Sequence, residues 1–215
     1  MKRCCALVLA LLLAMGCIPW GAAADAQEVT ILFTHDLHSS FLPRKDGSGG
    51  TAGGYARLAS ALKEERSAHP GALTVDGGDF SVGSLIQSLY TTQAAELRTM
   101  GAMGYDAVTA GNHEFDYTGL GFGGMLTAAR RSGEETPALL LANYRPEEDS
   151  PDRLDLQRAM AAYGVEESLL LERGGVTYGI FGLMGRDAHD CAPTSGFALE
   201  DPVRAARRCV KRLEE

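Results

Sequence analysis

Three short apolar runs in this chain each stop at a cluster of acids, histidines or amides. Val29–Thr34, predicted to be a buried and central strand, leads into His35-Asp36-Leu37-His38. Ala72–Val75 leads into Asp76-Gly77-Gly78-Asp79, and Ala107-Val108 leads through Gly111 into Asn112-His113-Glu114-Phe115-Asp116. Between them lie stretches of helical period. Tyr55–Ser67 sets Leu58, Ala61 and Leu62 on one face with charges opposite, and Thr92–Met103 does the same with Ala94, Leu97 and Met100. A helix over Leu120–Ser132, despite its glycines, and a fourth strand over Ala138–Ala142 continue the alternation, which predicts an α/β fold.

The second half is read more coarsely. Tyr144–Asp152 is polar and Pro-rich, a surface excursion, and Ser150-Pro151 opens a helix through Tyr163. Ser168–Glu172 and Val176–Leu183 flank Gly174-Gly175 as a hairpin. Asp201-Pro202 then opens a final helix whose Arg204, Arg207, Arg208, Lys211 and Arg212 are most simply its solvated face.

The chemistry gathers where the first three runs end, at the carboxyl ends of strands, where open α/β sheets bind ligands. Asp36 and His38, two apart on one turn, can reach a single divalent cation; Asp79 can bridge two, and Asn112 offers the second a neutral oxygen. Such mixed oxygen and nitrogen donors suit Mn, Zn, Fe or Mg rather than a closed structural zinc site. His113 is the candidate catalytic side chain, and Asp116, three residues on, can hold its imidazole in one tautomer. The plainer readings are that Asp36 and Asp79 cap helices or close Asx turns, that His113 is a core histidine, and that Asp116 merely starts the next helix. Glu114 is read as structural. His35 is read as supporting Asp36 or as structural, while His69 and Arg57 are assigned to the surface.

The order Asp-x-His, Gly-Asp, Gly-Asn-His-Glu resembles the calcineurin-like metallophosphoesterases. Phe33-Thr34-His35-Asp36-Leu37-His38 and Gly111-Asn112-His113-Glu114-Phe115-Asp116 are closer still to their bacterial 5'-nucleotidase branch. The resemblance runs from about Val29 onward. It implies part of a four-layer α-β-β-α sandwich, an amino-terminal portion of a catalytic domain over 27–215. It also implies two divalent ions, and hydrolysis of a phosphate monoester by metal-activated water. His113 would stabilise the phosphoryl transition state or protonate the leaving oxygen. The substrate implied is a small phosphorylated molecule, a nucleotide first and a cyclic nucleotide diester as the alternative.

The resemblance also sets a discrepancy. The family's site takes three further histidines from later strands, two of them in Gly-His-x-His. Here the histidines are His35, His38, His69, His113 and His189, so only His189 follows Asp116. The expectation is a truncated chain that lacks the carboxyl-terminal half of the enzyme; an inactive exported metal-binding remnant is the alternative. Part of a sandwich would leave strand edges open to water, an aggregation hazard.

Composition changes this picture in two places. The first 26 residues read as an export signal: Lys2 and Arg3, the apolar Cys4–Met15, then Ala24-Asp25-Ala26 before Gln27. The apolar part falls short of the about 20 residues of a membrane span, so an exported chain without a transmembrane anchor is expected, with a lipid anchor on Cys17 as the other reading. The formal charge of −8 lacks the clustered Lys/Arg of a nucleic-acid groove. Past the leader only Cys191 and Cys209 remain, and export permits a disulfide between them; two free thiols are an equal alternative.

Overall fold

The computed structural model describes residues 28–215; the proposed leader and Cys17 lie outside the described residues. The chain alternates as its pattern predicts. Strand β1 (Ile31–Thr34) is followed by a small hairpin of β2 (Arg44–Lys45) and β3 (Thr51–Ala52), then by helix α1 (Tyr55–Ala68) and β4 (Leu73–Asp76). Helices α2 (Tyr90–Gln93) and α3 (Ala95–Ala102) lead to β5 (Ala107–Val108), and α4 (Thr118–Ser132) leads to β6 (Ala138–Leu139). These four strands form one parallel sheet in the order β1-β4-β5-β6. Each neighbour is reached by a helical crossover, so the strand ends that carry the polar clusters fall side by side.

The rest of the chain packs around this unit. Strand β7 (Tyr144–Pro146) precedes α5 (Arg153–Tyr163); β8 (Ser168–Arg173) and β9 (Val176–Phe181) form the antiparallel hairpin; α6 (Arg186–Asp190), β10 (Phe197–Leu199) and α7 (Pro202–Leu213) follow. Leu97, Met100, Phe122, Met125, Leu126, Leu139 and Leu156 are fully buried between the helices and the sheet. The glycines of α4 serve close packing: a Cβ on Gly119 would stand 2.5 Å from the Ser195 carbonyl oxygen and 3.1 Å from Leu156. Among the described residues, no helix is long and apolar enough to cross a membrane.

Several expectations are corrected. Strand β1 is an edge, not a central strand, since no strand pairs with its outer side among the described residues; Ile31 and Phe33, on one face of it, are 52% and 61% exposed rather than buried. The helix expected over Thr92–Met103 is broken at Ala94, whose φ of 47° is left-handed, so α2 and α3 are separate. Tyr144 is core rather than surface: β7 pairs antiparallel with β10, and the Tyr144 ring stacks on Phe197 with centroids 5.2 Å apart. Arg208 does not belong to a purely solvated face, since it bonds Glu200, Glu167 and the Ala142 carbonyl. Cys191 is exposed and Cys209 buried, both as free thiols.

Candidate metal centre

The first cluster is held by backbone that L-residues rarely adopt. Asp36, His38 and Ser39 have φ of 52°, 47° and 46°, and across from them Asp79 and Val82 have 54° and 61°. For β-branched Val82 this is a true outlier. Such strain persists only where surrounding structure over-determines it, and it concentrates at functional sites. The over-determination is visible. The amides of Asp36, His38 and Ser39 donate to the carbonyls of Gly78, Asp79 and Phe80 at 3.0, 3.1 and 2.9 Å, so the turn after β1 is laced to the turn after β4.

The turn after β5 joins the same centre through Asp79. Its Oδ1 accepts the His113 amide at 2.9 Å, and a Cβ on Gly111 would lie 2.2 Å from that oxygen. Gly78 has φ of 97°, and a side chain there would meet the Gly111 amide nitrogen at 2.5 Å. Only glycine at both positions lets the two turns touch.

Around these turns the side chains sort into pairs. His38 Nε2 lies 3.3 Å from Asp36 Oδ1, and the His38 and His113 rings meet edge-on with centroids 4.9 Å apart. His113 Nδ1 donates to Asp116 Oδ2 at 2.9 Å, which leaves Nε2 as the nitrogen directed to other partners. Partial burial lowers the His113 pKa, but the hydrogen bond and charge of Asp116, with the charges of Asp79 and Glu114, outweigh it and leave the pKa raised. Asn112 opens the short turn His113–Phe115, and its side-chain amide takes no part in capping it.

The structure therefore brings Asp36, His38, Asp79, Asn112, His113 and Asp116 to three linked turns. The donor chemistry fits a hard or borderline cation at the Asp36–His38 pair. It is not a complete cage: among the described residues no three His, Cys, Asp or Glu side chains converge as a metal site. His189 is held elsewhere, its Nδ1 3.1 Å from the Tyr144 phenol.

Two buried acids carry more of this architecture than their sequence context suggested. Glu114 is fully buried, and its carboxylate accepts from the amides of Asp79, Ser81 and Gly111 and from the Ser81 hydroxyl. Its structural role is as expected, but its reach across two loops appears only in three dimensions. Glu96, also fully buried, accepts the Ser39 hydroxyl at 2.6 Å and so ties α3 to the turn that carries Asp36 and His38. In the sequence Glu114 stood out only as a member of the Gly-Asn-His-Glu motif, and Glu96 carried no signal beyond its place among Ala94, Ala95 and Leu97.

No family model matches the chain. Over 113 residues it is 40% identical to the human 5'-nucleotidase, covering 49% of this chain and 19% of that one. Over 213 residues it is 30% identical to the mouse 5'-nucleotidase, covering 95% of this chain and 34% of the other. The chain resembles the 5'-nucleotidases. Among solved structures, the 5'-nucleotidase precursor from Thermus thermophilus superposes with a TM-score of 0.68 at 26% identity, over 86% of this chain and 34% of that one. The calcineurin-like phosphoesterase YfkN from Bacillus subtilis superposes with a TM-score of 0.64 at 19% identity, over 86% and 58%, a likeness of fold. This 5'-nucleotidase-like chain thus spans about a third, or less, of the length of the 5'-nucleotidases named here.

Proposed function

We propose that this chain supplies the amino-terminal part of the catalytic domain of an exported, metal-dependent phosphoesterase that hydrolyses nucleotide 5'-monophosphates. The observation that carries the reading is the lacing of three strand-end turns, which sets Asp36–His38 beside Asp79, and Asp79 beside the amide of His113. Asp36, His38, Asp79 and Asn112 would hold two divalent ions, of Mn, Zn, Fe or Mg type. When bound, such ions supply Lewis acidity toward phosphate and the acidification of water.

The chain's own residues do the rest. Asp116 fixes the His113 tautomer with Nε2 outward and favours the cationic ring. His113 then donates a proton, or a charge-assisted hydrogen bond, to a phosphoryl or leaving oxygen as negative charge develops there. The Asp36–His38 pair falls short of the about four donors of a stable site, so donors beyond those gathered here complete it.

That only His189 follows Asp116 favours one other reading, a chain that binds metal without turnover. Phosphate release from AMP with Mn²⁺, measured on the whole gene product, separates the two. Turnover is expected, lost in both Asp79→Ala and His113→Ala, with metal binding lost only in the former. Metal binding without any phosphate release would overturn the enzymatic reading.

A further inference from the structure

The two oxygens of the Asp36 carboxylate have different partners. Oδ1 faces His38 Nε2 at 3.3 Å, whereas Oδ2 accepts from His35 Nδ1. His35 takes no part in the chemistry described above, and its side chain is 63% exposed. Its ring is nevertheless held on two sides. Asp36 fixes the Nδ1 edge, and the Phe33 ring lies against the imidazole with centroids 5.7 Å apart and planes 34° apart. The space for this stack is made by Gly77, at the end of β4. A Cβ there would come 2.9 Å from Phe33 Cζ and 3.2 Å from the His35 Cβ.

We propose that His35 is a positioning residue for Asp36, its Nδ1–H holding one carboxylate oxygen so that the other is presented, beside His38, to a divalent cation. The inference rests on the proposed function in one respect, that a cation binds at the Asp36–His38 pair. The physical need is clear. Rotation of an aspartate carboxylate about its last torsion is broad and nearly two-fold. Asp36 is exposed and left-handed, and its carboxylate is fixed among the described residues by these two imidazoles alone. Hydrogen bonds to ligating carboxylates set their orientation, and losing one typically costs about 10–100-fold in metal affinity. Phe33 and Gly77 hold the histidine as the histidine holds the acid. An imidazolium that merely competed with the cation for Asp36 would act in the opposite direction, so the sign of the effect is decisive.

The test is calorimetric titration of Mn²⁺ into the metal-free whole gene product, alongside its metal-free thermal midpoint; no Mn²⁺ uptake by the wild type overturns the proposal together with the reading beneath it. His35→Ala is expected to weaken Mn²⁺ binding about 10-fold or more without moving the midpoint, because the side chain is exposed. His35→Asn, which keeps an N–H donor, is expected to recover most of that affinity. Gly77→Ala, whose backbone needs no positive φ, is expected to fall between, since it displaces the ring stack without deleting it. Unchanged or tighter binding by His35→Ala overturns the proposal, as does failure of His35→Asn to restore what His35→Ala loses. If Asp36→Ala leaves the titration of the wild-type chain unaltered, no cation sits at the pair and the reading beneath falls too; Asp36-dependent binding that ignores His35 overturns the positioning role alone.

Discussion

One oxygen of Glu114, Oε2, accepts the amide of Asp79 at 2.9 Å and the amide of Gly111 at 2.7 Å, joining the turns after β4 and β5 through a single atom. The other, Oε1, accepts the Ser81 amide at 3.0 Å and its hydroxyl at 2.8 Å. A buried carboxylate with four donors fixes the distance between two loops more firmly than apolar packing can, because each donor left alone carries a desolvation penalty.

Glu114→Ala orphans three amides, that of Ser81 buried and those of Asp79 and Gly111 half-buried. At about 1–3 kcal/mol per unsatisfied group, partly relieved by water, a loss of about 2–4 kcal/mol is expected. In a chain of this size that is a fall in the thermal midpoint on the order of 5–15 °C. Glu114→Gln should lose somewhat less, since one acceptor remains while its amide faces N–H groups. Differential scanning fluorimetry on metal-free protein reads this directly, and an unmoved midpoint for Glu114→Ala would show that the two loops are fixed by something else.

Asp76 gives a pH dependence of stability. It is 4% exposed, and burial pushes its carboxyl up to about 6 despite hydrogen bonds from Thr34 and Gly78. A folded-state pKa above the unfolded one means that the native chain takes up a proton that the unfolded chain does not, between about pH 6 and pH 4. The Asp76 contribution to stability is therefore greatest below that window and is lost as pH rises through it, by on the order of 3 kcal/mol. Asp76→Asn keeps the acceptor for Gly78 and has no charge to bury, so it is expected to raise the midpoint near pH 7.5 and to flatten its dependence on pH. Parallel melts of both proteins at pH 5 and 7.5 check the sign; a variant less stable at pH 7.5 than the wild type contradicts it.

The His113–Asp116 pair can be followed without turnover. Asp116→Asn removes a hydrogen bond to carboxylate and a negative charge, both of which raise the His113 pKa, while the partial burial that lowers it stays. The imidazole should then titrate at lower pH. An NMR titration of the His113 ring protons in metal-free protein measures it, and a midpoint that does not move would place Asp116 outside the pair in solution.

Strand β1 exposes Ile31 and Phe33 beside an edge that is unpaired among the described residues. Open edges with apolar side chains pair with one another, so the purified chain is expected to associate as its concentration rises. Ile31→Lys places a charge on that edge and should shift the sedimentation profile toward monomer. Identical profiles for the two proteins would locate the contact on another surface.

How much of this was legible beforehand differs from element to element. The alternation of apolar runs and helical periods determined the α/β class and the order of elements, because burial on one face of a strand or helix writes its period into the sequence. The motifs likewise picked out Asp36, His38, Asp79, Asn112, His113 and Asp116 as candidates, since donors of metal type cluster just past the ends of three predicted strands. Periodicity says nothing about neighbours, however. That β1 is an edge, that Tyr144 packs on Phe197 and that Ala94 breaks a helix follow from which surfaces meet, a property of the assembled chain. The same holds for Glu114: its partners Asp79, Ser81 and Gly111 lie in turns that only the parallel sheet brings together, so hydrogen-bond geometry decided its role where residue type and spacing could not.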